Sequence, residues 1–341
     1  MITISLCMIV KNEEKILERC LRTISDLMDE IIIVDTGSTD RTKEIAGKYT
    51  DKVYDFAWVD DFSKARNFAF SKATKEYIYS ADADEVIDEE NREQFRVLKE
   101  MLLPEIEVVQ MYYCNQLTCG SVYNYDKEYR PKLFKRLREF VWIDPIHETV
   151  RTMPVVFDSD IEIQHMQEEN HADRDLKTFR KEYDRNGELS DRLRGLYARE
   201  LYMAGGMDDL IQAEKYFEDI CDDAEKSEEE IKEAACVVAK AARMKVDNDK
   251  FYKYAMKVVA SGACSEICVE LGCYYRDKKD NKEAAVWFYN AAFETESLLD
   301  IHCSGDKALE GLAKCYHSLG LKAEAEEYER MAKEWSPATC T

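Results

Sequence analysis

The chain has 341 residues, enough for two domains, and its 35% charged and 45% hydrophobic content with only 12 Gly and 5 Pro is that of a helix-rich globular protein, neither disordered nor fibrous. A net charge of -22 weighs against nucleic-acid binding, which needs Lys and Arg to displace counterions, and against docking on anionic lipid. No run of about 18 apolar residues occurs, so no transmembrane segment is expected. The 12 Cys show neither Cys-x-x-Cys nor a zinc-ligand spacing. Reduced, mostly buried thiols are therefore expected, and without a signal-peptide pattern the expected compartment is the cytoplasm.

In chain order, Ile2 to Val10 reads as a first strand, and Ile16, Leu17, Cys20, Leu21 and Ile24 recur at helical spacing. Ile31-Ile32-Ile33-Val34 is a short apolar run suited to a strand covered on both faces. A helix over about 40–48 follows, then a strand from Val53 to Trp58, a helix over about 63–73 and a strand at Tyr77-Ile78-Tyr79. This alternation predicts βαβ units in a doubly wound α/β sheet, which binds ligands beyond the carboxyl ends of its strands.

From about 173 onward the strands stop and helical pairs recur. Breaks are expected near Gly205-Gly206, Val246-Asp247-Asn248, Lys279-Asp280-Asn281 and Leu319-Gly320. Leu271-Gly272-Cys273-Tyr274-Tyr275 echoes Leu312-Ala313-Lys314-Cys315-Tyr316, and Ala284, Phe288 and Ala291 echo Ala213, Phe217 and Ile220. This grammar resembles tetratricopeptide (TPR) repeats, and four hairpins fit. A generic helical bundle is the plainer alternative. The acidic runs Asp222–Glu225 and Glu228–Glu230 read as solvated loops between hairpins.

The strongest chemical signal is Asp82-Ala83-Asp84-Glu85, directly after a strand. Two carboxylates one residue apart can hold a hard divalent cation, Mn or Mg, together with a sugar diphosphate. Three further polar clusters fall at suitable places: Lys11-Asn12-Glu13-Glu14, Asp35-Thr36-Gly37-Ser38-Thr39-Asp40, and Asp60-Asp61-Phe62-Ser63-Lys64-Ala65-Arg66-Asn67. Asp35, ending a hydrophobic strand, is expected to face ligand, whereas Ser38 and Asp40 read better as turn and cap residues.

Together Cys7 to Glu14, Val34 to Asp40, Ala65-Arg66-Asn67 and Asp82 to Glu85 resemble family 2 glycosyltransferases, over roughly residues 2–168. The likeness is greatest to the branch with lipopolysaccharide-core and bacteriocin S-glycosyltransferases. The resemblance implies a GT-A fold (a Rossmann-like nucleotide-sugar-binding domain), a nucleotide-sugar donor, usually a UDP-sugar, and an inverting mechanism. By it, Asp35 and Thr36 lie near the base and ribose, Arg66 near the diphosphate, Asp82 at the ribose and Asp84 at the metal. Ile9, Asn12, Glu13 and Arg130 join the donor-binding set. Many relatives carry a second Asp where this chain has Thr36, a departure from the pattern. Arg130 to Arg136 and Trp142-Ile143-Asp144-Pro145-Ile146-His147-Glu148 resemble further segments of the same branch. An inverting transfer needs one base to deprotonate the acceptor. Glu148 and Asp144 are the candidates, with His147 orienting a phosphate or the base. His165 stands where relatives complete the metal shell, beside Asp84 and Asp82. A satisfied strand-end histidine is its bland alternative. Arg130 and Lys132 could equally be solvated charges, and Trp58 and Trp142 are better read as core than as sugar platforms.

The expected organisation is a GT-A domain over 1–170 and a TPR-like domain over 171–341. The expected function is metal-dependent transfer of a hexose or N-acetylhexosamine to a protein or peptide acceptor recruited by the repeats, which also offer a homodimer surface. Two rivals stand beside it: a cell-envelope glycan acceptor, and a repeat scaffold with a degenerate transferase domain.

Overall fold

A computed structural model describes residues 1–116, 126–137, 142–150, 154–166 and 172–337. Two compact units divide the chain, the first within Met1–Asn170 and the second within His171–Ala338. The residues flanking the expected domain boundary, 167–171, lie outside the described set.

In the first unit, β1 (Ile4–Val10), α1 (Leu17–Ile24), β2 (Glu30–Asp35), α2 (Thr42–Ala46), β3 (Val53–Asp55), α3 (Phe62–Lys72) and β4 (Tyr77–Ala81) follow the predicted alternation. The third strand ends at Asp55, short of Trp58. Then come β5 (Glu85–Val86), α4 (Glu89–Met101), β6 (Val108–Cys114), β7 (Glu128–Lys135), β8 (Trp142–Ile143), β9 (Thr149–Val150) and β10 (Val156–His165). The main sheet runs β3-β2-β1-β4-β7-β6-β10-β5, and β8 and β9 form a separate small hairpin. The first four strands are parallel, β7 is antiparallel to both neighbours, and β5 is antiparallel to β10. The sheet is thus mixed, not wholly doubly wound.

Alternation along β1 assigns its two faces. Ile4, Leu6, Met8 and Val10 pack with Leu17 and Leu21 of α1 and Phe95 of α4, while Cys7 packs with Ala69 and Phe70 of α3. With both faces covered, β1, β2 and β4 are almost wholly buried, as continuous apolar runs require. Asp61 caps α3 by accepting from the Lys64 N–H at 3.2 Å, and Asp88 caps α4 by accepting from the Asn91 N–H at 2.9 Å.

The second unit is helical: α5 (Ala172–Asn186), α6 (Asp191–Ala204), α7 (Met207–Asp222), α8 (Glu228–Met244), α9 (Asn248–Ala260), α10 (Ser265–Asp277), α11 (Asn281–Phe293), α12 (Asp306–Ser318) and α13 (Lys322–Glu334). Its hairpins break where the sequence predicts. Phe288 of α11 explains the small residues around it: a Cβ on Gly272 would stand 2.9 Å from its ring, and one on Gly311 2.4 Å. The second acidic run differs from expectation. Glu228–Glu230 form the first turn of α8, where Ser227 and Glu230 make a reciprocal capping box, with acidic charge at the positive end of the helix dipole. Among the described residues no helix is long and apolar enough to cross a membrane.

Candidate active site

The polar clusters converge at the carboxyl ends of β1, β2 and β4. The loops after β1 and β2 are laced together. Asn12, at φ 57°, donates its N–H to Ser38 Oγ at 2.9 Å, and its Oδ1 accepts from the Thr39 N–H at 2.8 Å. The Glu13 N–H donates to Thr42 Oγ1 at 2.7 Å and the Glu14 N–H to Asp40 Oδ2 at 3.1 Å. Asp40 Oδ1 accepts from the Thr42 N–H at 2.9 Å and so closes the turn before α2, but the N-cap of that helix is Arg41, with no side-chain cap, and not Asp40 as expected. Asn12, expected at the donor, spends its side-chain oxygen on this lacing. Ile9 is half-buried against the α3 side of the sheet.

Asp35 is held differently, by the loop that follows it. Its Oδ2 accepts from the N–H groups of Gly37 and Ser38, each at 3.0 Å, while its buried Oδ1 has no hydrogen-bond partner among the described residues. Gly37 sits at φ 105°, a backbone region that glycine alone enters freely. The Thr36 hydroxyl donates to the Val10 carbonyl at 3.2 Å, tying the β2 end to β1.

One buried guanidinium organises the centre. Arg66 of α3 donates from Nη2 to Asp82 Oδ1 at 2.9 Å, from Nη1 to Ser80 Oγ at 3.1 Å and from Nε to Glu148 Oε1, and it lies over the Trp142 ring at 5.0 Å. Burial pulls its pKa down, but the carboxylates of Asp82 and Glu148 outweigh that and leave it raised. Burial likewise pushes the Asp82 carboxyl up, and Arg66 and Lys132 override it to hold Asp82 well below the usual carboxylate range.

Asp84 and His165 form a second pair. His165 Nε2 lies 3.1 Å from Asp84 Oδ2, the Met166 N–H donates to the Asp84 carbonyl at 2.9 Å, and His165 pairs in register with Glu85. Asp84 Oδ1 and His165 Nδ1 are buried, each with no hydrogen-bond partner among the described residues. No cluster of three or more possible metal-ligating side chains forms among the described residues. A carboxylate and an imidazole with an orphaned oxygen nevertheless fit a divalent cation whose remaining positions go to diphosphate and water, as catalytic sites with open coordination do. Asp82, turned to Arg66, is not part of that pair.

Lys132 corrects the surface alternative. It is 6% exposed, and its Nζ donates to Glu85 Oε1 at 2.6 Å. Burial pushes the Glu85 carboxyl up to about 7 against the pull of Lys132. Arg130 is half-buried too, with its guanidinium 4.1 Å from the centroid of the Tyr113 ring and its Nε donating to Glu128 at 3.0 Å. Sequence reasoning gave Glu85 no role of its own, because its partner stands 47 residues away on a strand it had not placed.

The candidate bases share one loop. Asp144, His147 and Glu148 lie between β8 and β9, and Asp144 and His147 hold positive φ of 71° and 46°. Of the three, Glu148 is joined to the strand-end cluster through Arg66. Trp142 packs between Phe70 and Phe134, at 5.7 Å from each ring, which agrees with its reading as core.

Comparison with known proteins places this geometry in a class. Residues 5–162 match the family described as Glycosyl transferase family 2. The first unit thus matches a family 2 glycosyltransferase domain, and a run of helices follows it. The chain is similar to a TPR repeat-containing protein of Synechococcus elongatus, 49% identical over 85 residues covering 25% of this chain and 21% of that protein. It is similar to the SPbeta prophage-derived glycosyltransferase SunS of Bacillus subtilis, 35% identical over 125 residues covering 36% and 29%. A glycosyltransferase of Rickettsia typhi is 32% identical over 95 residues, covering 28% and 32%. The chain therefore spans no more than about a third of the length of these relatives. Among solved structures, glucosyl-3-phosphoglycerate synthase of Mycobacterium tuberculosis aligns at 14% identity and TM-score 0.40, covering 56% of this chain and 82% of that one. TarS of S. aureus aligns at 15% and 0.35, covering 84% and 90%.

Proposed function

We propose that the chain transfers a hexose or N-acetylhexosamine, with inversion, from a nucleotide-sugar to a protein or peptide acceptor, with a UDP-sugar as the donor. The observation that carries this reading is the buried, orphaned Oδ1 of Asp84 beside His165, two residues after an Asp82 whose Oδ1 is bound to Arg66. In this reading Asp84 is the carboxylate that meets the cation, with His165 beside it.

In this reading the unsatisfied Asp35 Oδ1 accepts a hydrogen bond from the nucleoside, and Asp82 and Arg66 line the ribose and diphosphate side. Bound Mn or Mg supplies Lewis-acid neutralisation of the leaving diphosphate. Glu148 takes the proton from the acceptor hydroxyl or thiol. The acceptor atom bonds to the anomeric carbon from the face opposite the nucleotide, and the glycosidic electron pair leaves on the diphosphate. Arg66 fixes Glu148 Oε1, which leaves Oε2 for the acceptor proton. The stacked hairpins present an extended surface on which a peptide acceptor is recruited. The ten described cysteines are free thiols, which suits the cytoplasm as the compartment.

The test is nucleotide release from a panel of UDP- and GDP-sugars with Mn, with Mg and with chelator. Slow metal-dependent release from one donor, lost in Asp84→Ala, supports the reading. No release from any donor contradicts it.

A further inference from the structure

The candidate bases lie on a hairpin segment that packs on α3. Among the described residues β8 and β9 pair Trp142 with Val150 and Ile143 with Thr149, and a two-stranded ribbon needs packing from outside to be stable in water. Three ties join this segment to α3. The Phe62 N–H donates to the Pro145 carbonyl at 3.0 Å. Arg66 Nε donates to Glu148 Oε1. Between them, Asn67 holds the Trp142 peptide groups by both ends of its amide: Nδ2 donates to the Trp142 carbonyl at 3.0 Å, and Oδ1 accepts from the Trp142 N–H at 2.9 Å. The side-chain amide thereby takes the place of a neighbouring strand on β8.

The helix that makes these ties is itself fixed. Ala69 and Phe70 pack against Cys7, Ile32 and Val34 of β1 and β2, and Arg66 is bound to Ser80 and Asp82 at the end of β4. A displacement of the 142–148 segment therefore moves Glu148 against the donor side of the site.

We propose that Asn67 is a positioning residue for the transfer: it sets the register of the β8–β9 loop on α3 and so places Glu148 relative to Asp82 and Asp84. This rests on the reading of Glu148 as the base. A misplacement of about 1 Å lowers turnover roughly 100-fold while leaving binding made elsewhere untouched.

The experiment measures, side by side, UDP binding in Mn by calorimetry and UDP release from a panel of UDP-sugars, for the wild-type chain, Asn67→Ala, Asn67→Asp and Glu148→Gln. Asn67→Ala is expected to keep UDP binding within about 3-fold and to lose roughly 100-fold in release. Asn67→Asp keeps the shape and the acceptor for the Trp142 N–H but loses the donor. It is expected to fall between, and it stands in if the alanine variant does not fold. A merely structural role would lower binding, turnover and melting temperature together. Release by Asn67→Ala near the wild-type rate, with Glu148→Gln inactive, overturns the positioning role alone. Release by Glu148→Gln near the wild-type rate overturns the base assignment, and no release by the wild-type chain from any donor overturns both.

Discussion

Lys132 of β7 and Glu85 of β5 form an ion pair at 2.6 Å, 7% and 2% exposed on their side chains, directly behind Asp82 and Asp84. Glu85 Oε2 has no hydrogen-bond partner among the described residues, so the pair is only partly satisfied. Burial pushes the Glu85 carboxyl up to about 7 even with Lys132 beside it, so removing Lys132 leaves Glu85 as a buried neutral acid without its partner. Lys132→Met is therefore expected to destabilise the first unit by about 1–3 kcal/mol, and the double variant Glu85→Met/Lys132→Met to recover most of that loss. Urea denaturation of the single and double variants measures both. A double variant no more stable than Lys132→Met would contradict the pairing.

In the helical unit, Gly311 gives a sign reversal. Replacing glycine by alanine inside a helix ordinarily stabilises by about 1 kcal/mol. Here the added Cβ would stand 2.4 Å from the Phe288 ring, so Gly311→Ala is expected to destabilise by roughly 1–3 kcal/mol. A thermal melt checks the sign, and adding Phe288→Leu should relieve part of the loss. A higher melting temperature for Gly311→Ala would show that the ring moves aside freely.

Glu200 of α6 gives a pH dependence. It is 4% exposed, and burial first, then the nearby Asp175 carboxylate, push its carboxyl from 4.5 up to about 8. Between those values the folded state holds a proton that the unfolded state has lost. Its contribution is thus fully present below about 4.5 and disappears as the pH rises through about 8. Glu200→Gln is expected to be relatively more stable than the parent at pH 9, by up to about 4 kcal/mol, and to flatten this part of the profile. Melting temperatures of both proteins from pH 5 to 9 provide the check. Parallel profiles would remove Glu200 as the cause.

Much of this architecture was legible in the residues. The apolar run of β2, the helical spacing of α1 and the glycine and aspartate breaks of the repeats depend on local chemistry, and the structure places those elements accordingly. Asp35, Arg66, Asp82 and Asp84 can be singled out in the sequence as candidates because they stand at strand ends or on the helix beside them. The rest depended on pairing distant in sequence. The antiparallel entry of β7 brings Lys132 under the motif, and β10 brings His165 to Asp84. A lysine in Arg-Pro-Lys-Leu-Phe has the same local pattern whether solvated or buried. The contact of Asn67 is hidden likewise, since its amide meets the backbone of a residue 75 positions on.

The central claim is that Asp84 and His165 hold the cation through which the nucleotide binds. It is tested most directly by calorimetric titration of UDP into the wild-type chain, Asp84→Asn and His165→Ala, each with Mn and with chelator. The account predicts that UDP binds the wild-type chain in Mn, that chelator removes most of the affinity, and that each variant loses roughly 10- to 100-fold of the metal-dependent part. Equal UDP affinity with Mn and with chelator, unchanged in both variants, would contradict it.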